Sequence, residues 1–92
     1  MEPTRESVNS IDRHIGQRIR VRRQLLRMST AEAAAKLGVR EAVFLEYEAG
    51  LLRLDALGLI RLSGVLGVRL RYFYDGIATR EETSAAVRRV ND

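Results

Sequence analysis

The sequence predicts an all-α domain, and three features of the chain indicate it. Apolar residues recur at intervals of three, four and seven positions, the spacing that places side chains on one face of an α-helix. Residues that cap helix N-termini precede these segments, and glycines follow them. The only proline is Pro3, so no predicted helix has to break. We expect a flexible N-terminal arm over residues 1–10, a five-helix domain over 11–77 and a C-terminal tail over 78–92.

The first helix is predicted over residues 11–26. Arginines occupy its other faces, and Asn9 or Ser10 can cap its N-terminus. Its apolar stripe consists of Ile11, Ile15, Ile19 and Leu26.

The second helix is predicted over residues 30–37, "TAEAAAKL". Ser29 precedes it and Glu32 follows three positions later, the pattern of a capping box. Gly38 can adopt the positive φ that ends a helix. We therefore expect a tight turn directly after this helix.

The third helix is predicted over residues 40–49 and ends at Gly50. At about 100° per residue its side chains divide between two faces. The inward face holds Val43, Phe44, Tyr47 and Glu48, and the outward face holds Ala42, Leu45, Glu46 and Ala49.

The fourth helix is predicted from Asp55, its N-cap, to Leu66. The inward stripe consists of Leu59, Leu62, Ser63 and Leu66. Leu57, Ile60 and Gly64 form a second stripe on the opposite face, which is too apolar for a solvated surface.

A short fifth helix is predicted over residues 69–75, where aromatic residues cluster. Beyond it, Thr79 and Glu82 have the spacing of a second capping box. They predict a short extra helix near residues 80–90.

The composition excludes several classes of function. The chain has no cysteine and a single histidine, so we expect no disulfide, no metal site and no cofactor. No side chains converge as an acid/base pair, which argues against an enzyme. The N-terminus is polar, and no apolar run is long enough to cross a membrane. A cytoplasmic location is expected.

The net charge of +4 and the pI near 10.3 fit a nucleic-acid partner. The charge is unevenly distributed, however. Residues 11–27 contain six arginines and one aspartate, whereas residues 29–50 contain two basic residues and four glutamates. The positive charge therefore lies on the first helix and not on the third.

Five short helices, with a glycine-containing turn between the second and third, form a helix-turn-helix arrangement. Further residues match a known pattern without gaps: "IGQRIR" (15–20), Arg23, Ser29, Ala34, "KLGV" (36–39), Tyr47, Glu48, Gly50, Arg53, "LGV" (66–68) and "YFY" (72–74). On these residues the chain resembles the repressor/Cro-type helix-turn-helix family, also called the xenobiotic-response-element (XRE) family.

The resemblance implies a transcriptional regulator that binds double-stranded DNA as a homodimer, with the third helix in the major groove. It also implies a structural ion pair between Arg23 and Glu48. The positions implied to contact DNA are Ser29, Thr30, Arg40, Glu41, Ala42, Leu45, Glu46 and Arg53.

The chain departs from the family at several of these positions. Thr30 stands where the family usually has a glutamine that holds a phosphate, and acidic or aliphatic residues replace polar or basic readers. Glutamate can accept a hydrogen bond from cytosine, but phosphates repel it. An alternative therefore stays open, in which the helix-turn-helix domain binds and modulates a protein partner instead of reading DNA.

Apolar and aromatic side chains without a core role predict a dimer or partner interface. These residues are Leu51, Leu52, Leu57, Ile60, Gly64, Tyr72 and Tyr74.

Overall fold

The computed structural model describes residues 10–77. Within this range the chain forms four α-helices and a terminal 3-10 helix: α1 (Ser10–Leu25), α2 (Thr30–Leu37), α3 (Glu41–Ala49), α4 (Ala56–Leu66) and the 3-10 helix (Leu70–Tyr74). The predicted all-α class is confirmed, and the fifth predicted helix is a 3-10 helix. The extra helix predicted near residues 80–90 lies outside the described residues. None of the described helices is long and apolar enough to span a membrane.

Helix α1 ends one residue earlier than predicted. Arg27 adopts a left-handed conformation with φ of 56°, and the Met28 N–H donates to the Arg23 carbonyl oxygen at 3.1 Å. This arrangement ends the helix and satisfies a carbonyl of its last turn. Leu26 lies beyond the helix and is 40% exposed, so its predicted place in the buried stripe is wrong. The Ile15 and Ile19 side chains are buried as predicted.

The capping box of α2 is confirmed. The Ser29 hydroxyl accepts from the Glu32 N–H at 3.0 Å, and the Glu32 carboxylate accepts from the Ser29 N–H at 3.0 Å. Hydrogen bonding from Ser29 lowers the pKa of the Glu32 carboxyl group. The bond from the Ser29 backbone has the larger effect and the bond from its side chain the smaller one. Gly38 then adopts φ of 84° and starts the turn to α3.

Small residues on α2 make room for a large one on α3. Ala33 is fully buried and Ala34 is 2% exposed, while the Phe44 ring is fully buried in the same core. The core contains Ile15, Ile19, Ala33, Ala34, Leu37, Phe44, Leu59, Leu62, Leu66 and Phe73. Every helix therefore contributes to one hydrophobic cluster.

The predicted features of α4 are present in the structure. The Asp55 side chain accepts from the Gly58 N–H at 2.7 Å and caps the helix. Leu59, Leu62 and Leu66 face the core, whereas Leu57 is exposed. The helix thus has one buried and one exposed apolar stripe.

Two arginines of α1 hold the C-terminal elements in place. The Arg22 Nε donates to the Leu66 carbonyl oxygen at 2.9 Å, and the Arg18 Nε donates to the Tyr72 carbonyl oxygen at 3.0 Å. The Arg18 guanidinium also lies 3.9 Å from the centroid of the Tyr72 ring, a cation–π contact. These arginines therefore contribute to the fold and not to a free basic surface.

The helices α1 and α3 cross at Gly16. A Cβ atom at Gly16 would lie 2.5 Å from the Glu48 carbonyl oxygen and 2.6 Å from that of Tyr47. These are backbone atoms, which cannot swing away as a flexible side chain does. Gly16 therefore sets how closely the two helices approach.

We predict that Gly16→Ala destabilises the domain. Overpacking costs about 1–3 kcal/mol, and this exceeds the gain of up to about 1 kcal/mol in helix propensity. The control is Gly64→Ala, because a Cβ atom there meets no atom within 4 Å. Urea unfolding at low protein concentration should show a loss for Gly16→Ala and a gain for Gly64→Ala. Equal stability of Gly16→Ala and the wild type would contradict the assigned role.

Candidate nucleic-acid interface

The helix α3 presents an exposed outer face. Glu41, Ala42 and Ala49 are exposed, and the Leu45 side chain is 48% exposed. Phe44 on the opposite face is fully buried. Glu46, which was predicted on the outward face, is half-buried. The division of α3 into two faces otherwise follows the prediction, and its outer surface is acidic and aliphatic.

The ion pair between Arg23 and Glu48 braces α3 against α1. The Arg23 Nε lies 2.5 Å from Glu48 Oε2, and its second terminal nitrogen donates to Glu48 Oε1 at 3.1 Å. Arg23 also donates to the Met28 carbonyl oxygen at 2.9 Å. The two side chains are only 12% and 8% exposed. The pair implied by the family resemblance is present in the structure, and it is buried and bidentate.

A second hydrogen bond connects the starts of α2 and α3. The Thr30 hydroxyl donates to Glu41 Oε2 at 2.6 Å. Both residues were predicted as separate DNA contacts, and their pairing was missed because they are eleven positions apart on different helices. The structure therefore brings two candidate residues together at one end of the outer face.

Arg53 is held by a carboxylate of α1. Its guanidinium donates to the Asp12 carboxylate at 3.0–3.2 Å, and Asp12 is only 7% exposed. The hydrogen bond to Asp12 and the negative charge of that group raise the pKa of Arg53. The Arg53 side chain is still 42% exposed. A phosphate contact by Arg53 must therefore coexist with, or replace, its pairing with Asp12.

The predicted interface residues differ in exposure. Leu51, Leu57 and Ile60 are each more than half exposed, Gly64 and Tyr74 are exposed, and Leu52 is half-buried. Tyr72 packs within its own chain, where its hydroxyl donates to the Arg18 carbonyl oxygen at 3.0 Å. We call the exposed apolar stripe of α4, Leu57 and Ile60 with Gly64, the α4 surface.

An exposed apolar pair on α1 was not predicted. Val21 is 48% exposed and Leu25 is 69% exposed. The signal in the sequence is that Val21 and Leu25 are four positions apart, which places them together on a face of α1 other than that of the buried isoleucines. It was overlooked because the arginines dominate that helix.

Similar proteins include curated bacterial regulators. No protein-family model matches the chain. An uncharacterized helix-turn-helix-type transcriptional regulator of Sinorhizobium fredii is 36% identical over 88 residues, which is 92% of this chain and 62% of that protein. An uncharacterized transcriptional regulator of Rhodospirillum rubrum is 30% identical over 76 residues, which is 83% of this chain and 70% of that protein. The chain belongs to the helix-turn-helix transcriptional regulators.

The match to this family covers most of the chain but only part of several relatives. The chain spans 62% of the Sinorhizobium fredii regulator and 54% of regulators from Sinorhizobium medicae and Rhizobium meliloti.

Solved helix-turn-helix structures share the fold. The P22 c2 repressor protein, crystallised with a synthetic operator, superposes with a TM-score of 0.63 at 27% identity, covering 68% of this chain and 96% of that one. The SinR protein/SinI protein complex contains a chain with a TM-score of 0.60 at 27% identity, covering 78% of this chain and 75% of that one. The arrangement of α2, turn and α3 described above is therefore that of a regulator fold.

We predict that the helix-turn-helix frame depends on the Arg23–Glu48 pair. Arg23→Ala should destabilise the domain by about 3 kcal/mol, because it leaves a buried carboxylate without its partner. Adding Glu48→Gln should recover part of this loss, since the second buried charge is then removed. Urea unfolding of both single variants and the double variant measures the coupling.

Arg20→Ala is the matched control, because Arg20 is exposed on the same helix. It should change the free energy of unfolding by less than about 0.5 kcal/mol. Equal losses for Arg20→Ala and Arg23→Ala would show that the pair contributes nothing.

Proposed function

We propose that the protein is a transcriptional regulator of the repressor/Cro type that binds double-stranded DNA as a dimer. The observation that carries this proposal is the outer face of α3, which is exposed while its inner face is fixed by Phe44 and by the Arg23–Glu48 pair. A rigid, exposed helix of this kind fits the major groove.

Two further observations support DNA as the partner. The chain has a net charge of +4, and the structurally similar P22 c2 repressor was crystallised with an operator. Since phosphate contacts dominate affinity, a basic protein gains binding energy at any DNA sequence. DNA binding would place the protein in the cytoplasm of a bacterial cell.

The predicted contacts divide into two groups by chemistry. Ser29 and Thr30 begin α2, where backbone N–H groups attract phosphate, and Arg40 and Arg53 carry guanidinium groups. Base contacts are assigned to the outer face of α3, namely Glu41, Ala42, Leu45 and Glu46. The first group would position the protein, and the second would select the sequence.

We predict that Ala42→Glu weakens DNA binding at least tenfold. The added carboxylate would face the phosphates from the first turn of α3, and glutamate is compatible with a helix. Fluorescence anisotropy against a duplex selected from a random library measures the loss. Gln17→Glu is the control, because it adds the same charge at an exposed position of α1.

Two outcomes would contradict this prediction. Equal losses for Ala42→Glu and Gln17→Glu would mean that α3 does not face DNA. A wild-type protein that binds no duplex at about 50 mM salt would contradict DNA binding altogether.

We further propose that the α4 surface is the dimer interface. Leu57 and Ile60 are 55% and 54% exposed. A Cβ atom at neighbouring Gly64 would meet no side chain of the described residues beyond its chain neighbours within 4 Å, which leaves space for a close partner helix. Burial of such side chains against a second copy would remove apolar area from water. Leu51, Leu52, Tyr72 and Tyr74 are the remaining predicted interface residues.

We predict that Ile60→Glu converts a dimer to a monomer. A carboxylate at this position would be buried without a partner in the dimer, but it is solvated in the monomer. Sedimentation velocity over a range of concentrations measures the change. Leu25→Glu is the control, because Leu25 is 69% exposed but lies on α1. Dissociation by Leu25→Glu and not by Ile60→Glu would place the interface elsewhere.

The exposure of Leu45 and Leu51 favours a second candidate function, in which the domain binds a protein partner and modulates it. Leu45 is 48% exposed and Leu51 is 52% exposed, and neither can donate to a phosphate. The similarity to the SinR protein/SinI protein complex supports this candidate, because that structure holds two different proteins. Capture of a partner that is released by Leu45→Glu, together with an absence of duplex binding, would favour it.

A further inference from the structure

The outer face of α3 has an unusual chemistry for a reading surface. Its side chains are two carboxylates and three aliphatic groups: Glu41, Glu46, Ala42, Leu45 and Ala49. None of these side chains carries an N–H or O–H donor at neutral pH. The face can therefore accept hydrogen bonds and make apolar contacts, but it cannot donate.

This chemistry restricts which bases the face can select. In the major groove guanine presents two acceptors, so it offers nothing to a carboxylate. Cytosine N4 and adenine N6 are the donors, and thymine presents a methyl group. Adenine places its N7 acceptor beside the N6 donor, and a carboxylate at N6 is repelled by it. Cytosine N4 has one acceptor beside it, guanine O6 of its own pair, whereas adenine N6 lies between two acceptors, N7 and thymine O4. A carboxylate therefore favours cytosine.

Glu41 is better placed than other acidic residues to make this contact. It is the first residue of α3, and the N-terminal residues of a reading helix contact base edges. The positive end of the helix dipole also stabilises a carboxylate there. Glu46, by contrast, is half-buried, and Glu48 is buried against Arg23.

The Thr30 hydroxyl fixes the orientation of the Glu41 carboxylate. It donates to Oε2 at 2.6 Å, and an ionised carboxylate has about four acceptor sites on its two oxygens. This solvent-exposed bond from Thr30 therefore favours one orientation of the carboxylate and leaves acceptor capacity for a base. A fixed acceptor also loses less side-chain entropy on binding than a mobile one.

We infer that Glu41, held by Thr30, is a specificity-determining residue that accepts a hydrogen bond from the cytosine amino group in each half-site. Thr30 is a positioning residue, since it acts through Glu41. This inference rests on the proposed DNA-binding function. It names the base chemistry that the reading face selects.

The test is selection of binding sites from a random duplex library, followed by affinity measurements on single-base variants. Glu41→Gln should shift the preference at one base pair of each half-site from C·G to A·T, because glutamine pairs with both N6 and N7 of adenine. We expect the preference for cytosine to fall about five- to tenfold. Thr30→Val should weaken the preference at the same base pair, whereas Thr30→Ser, which keeps the hydroxyl group, should leave that preference at the wild-type level.

Asp55→Asn is the matched control, because it also removes one negative charge and asparagine can still cap α4. It should leave every base preference unchanged. Circular dichroism of each variant establishes that it is folded.

The outcomes separate the inference from the function on which it rests. A selected site in which no cytosine responds to Glu41→Gln would overturn the inference while leaving DNA binding intact. The inference would also be overturned if Glu41→Gln strengthened binding to every sequence equally. That result would show only that the repulsion between the Glu41 carboxylate and the DNA phosphates had been removed. Failure of the wild type to enrich any duplex would overturn the proposed function itself, and the inference with it.

Discussion

The close crossing of α1 and α3 fixes the geometry on which the candidate interface depends. Gly16 lets the α3 backbone approach α1, and Gly50 at the end of α3 has a positive φ and no room for a Cβ atom beside Arg13. The Arg23–Glu48 pair then fixes the rotation of α3 about its own axis, because both charges are buried and hydrogen-bonded. With α3 fixed in position and rotation, its outer face is set by the fold alone. The exposed residues of that face are therefore free to vary without loss of the frame.

Four arginines of the chain form hydrogen bonds within the fold. Arg18 and Arg22 donate to backbone carbonyl groups, Arg23 pairs with Glu48, and Arg53 pairs with Asp12. These pairings leave the net charge of +4 unchanged, but they commit guanidinium donors that could otherwise contact a phosphate backbone. The carboxylates are also held, since Thr30 bonds Glu41 at the edge of the reading face. The electrostatics of this surface are therefore set by side-chain pairing rather than by composition.

The sequence predicted those features that depend on neighbouring residues. The capping boundaries at Ser29 and Asp55 and the two faces of α3 follow from spacing within a single helix, and the Arg23–Glu48 pair followed from the family resemblance. The pairs Asp12–Arg53 and Thr30–Glu41 were missed because periodicity describes one helix at a time. The first pair joins residues that are 41 positions apart in the sequence, and the second joins residues that are 11 positions apart. The left-handed Arg27 was missed because glycine and asparagine, and not arginine, are the residues that usually adopt this conformation at a helix end. Which residues contact DNA or a partner stays a prediction, since it depends on a second molecule.

On the proposed function, the acceptor-only reading face and the α4 surface depend on each other. A face without donors gains no energy from phosphates, so each copy depends for phosphate contact on Arg40, Arg53 and the start of α2. One copy would therefore bind a half-site weakly. Two copies joined through Leu57 and Ile60 bind the second half-site at a high effective concentration, which multiplies the affinity without any new base contact. Dimerisation then supplies the binding energy that the reading face lacks. The α3 face can therefore select cytosine and thymine while the dimer as a whole still binds its site tightly.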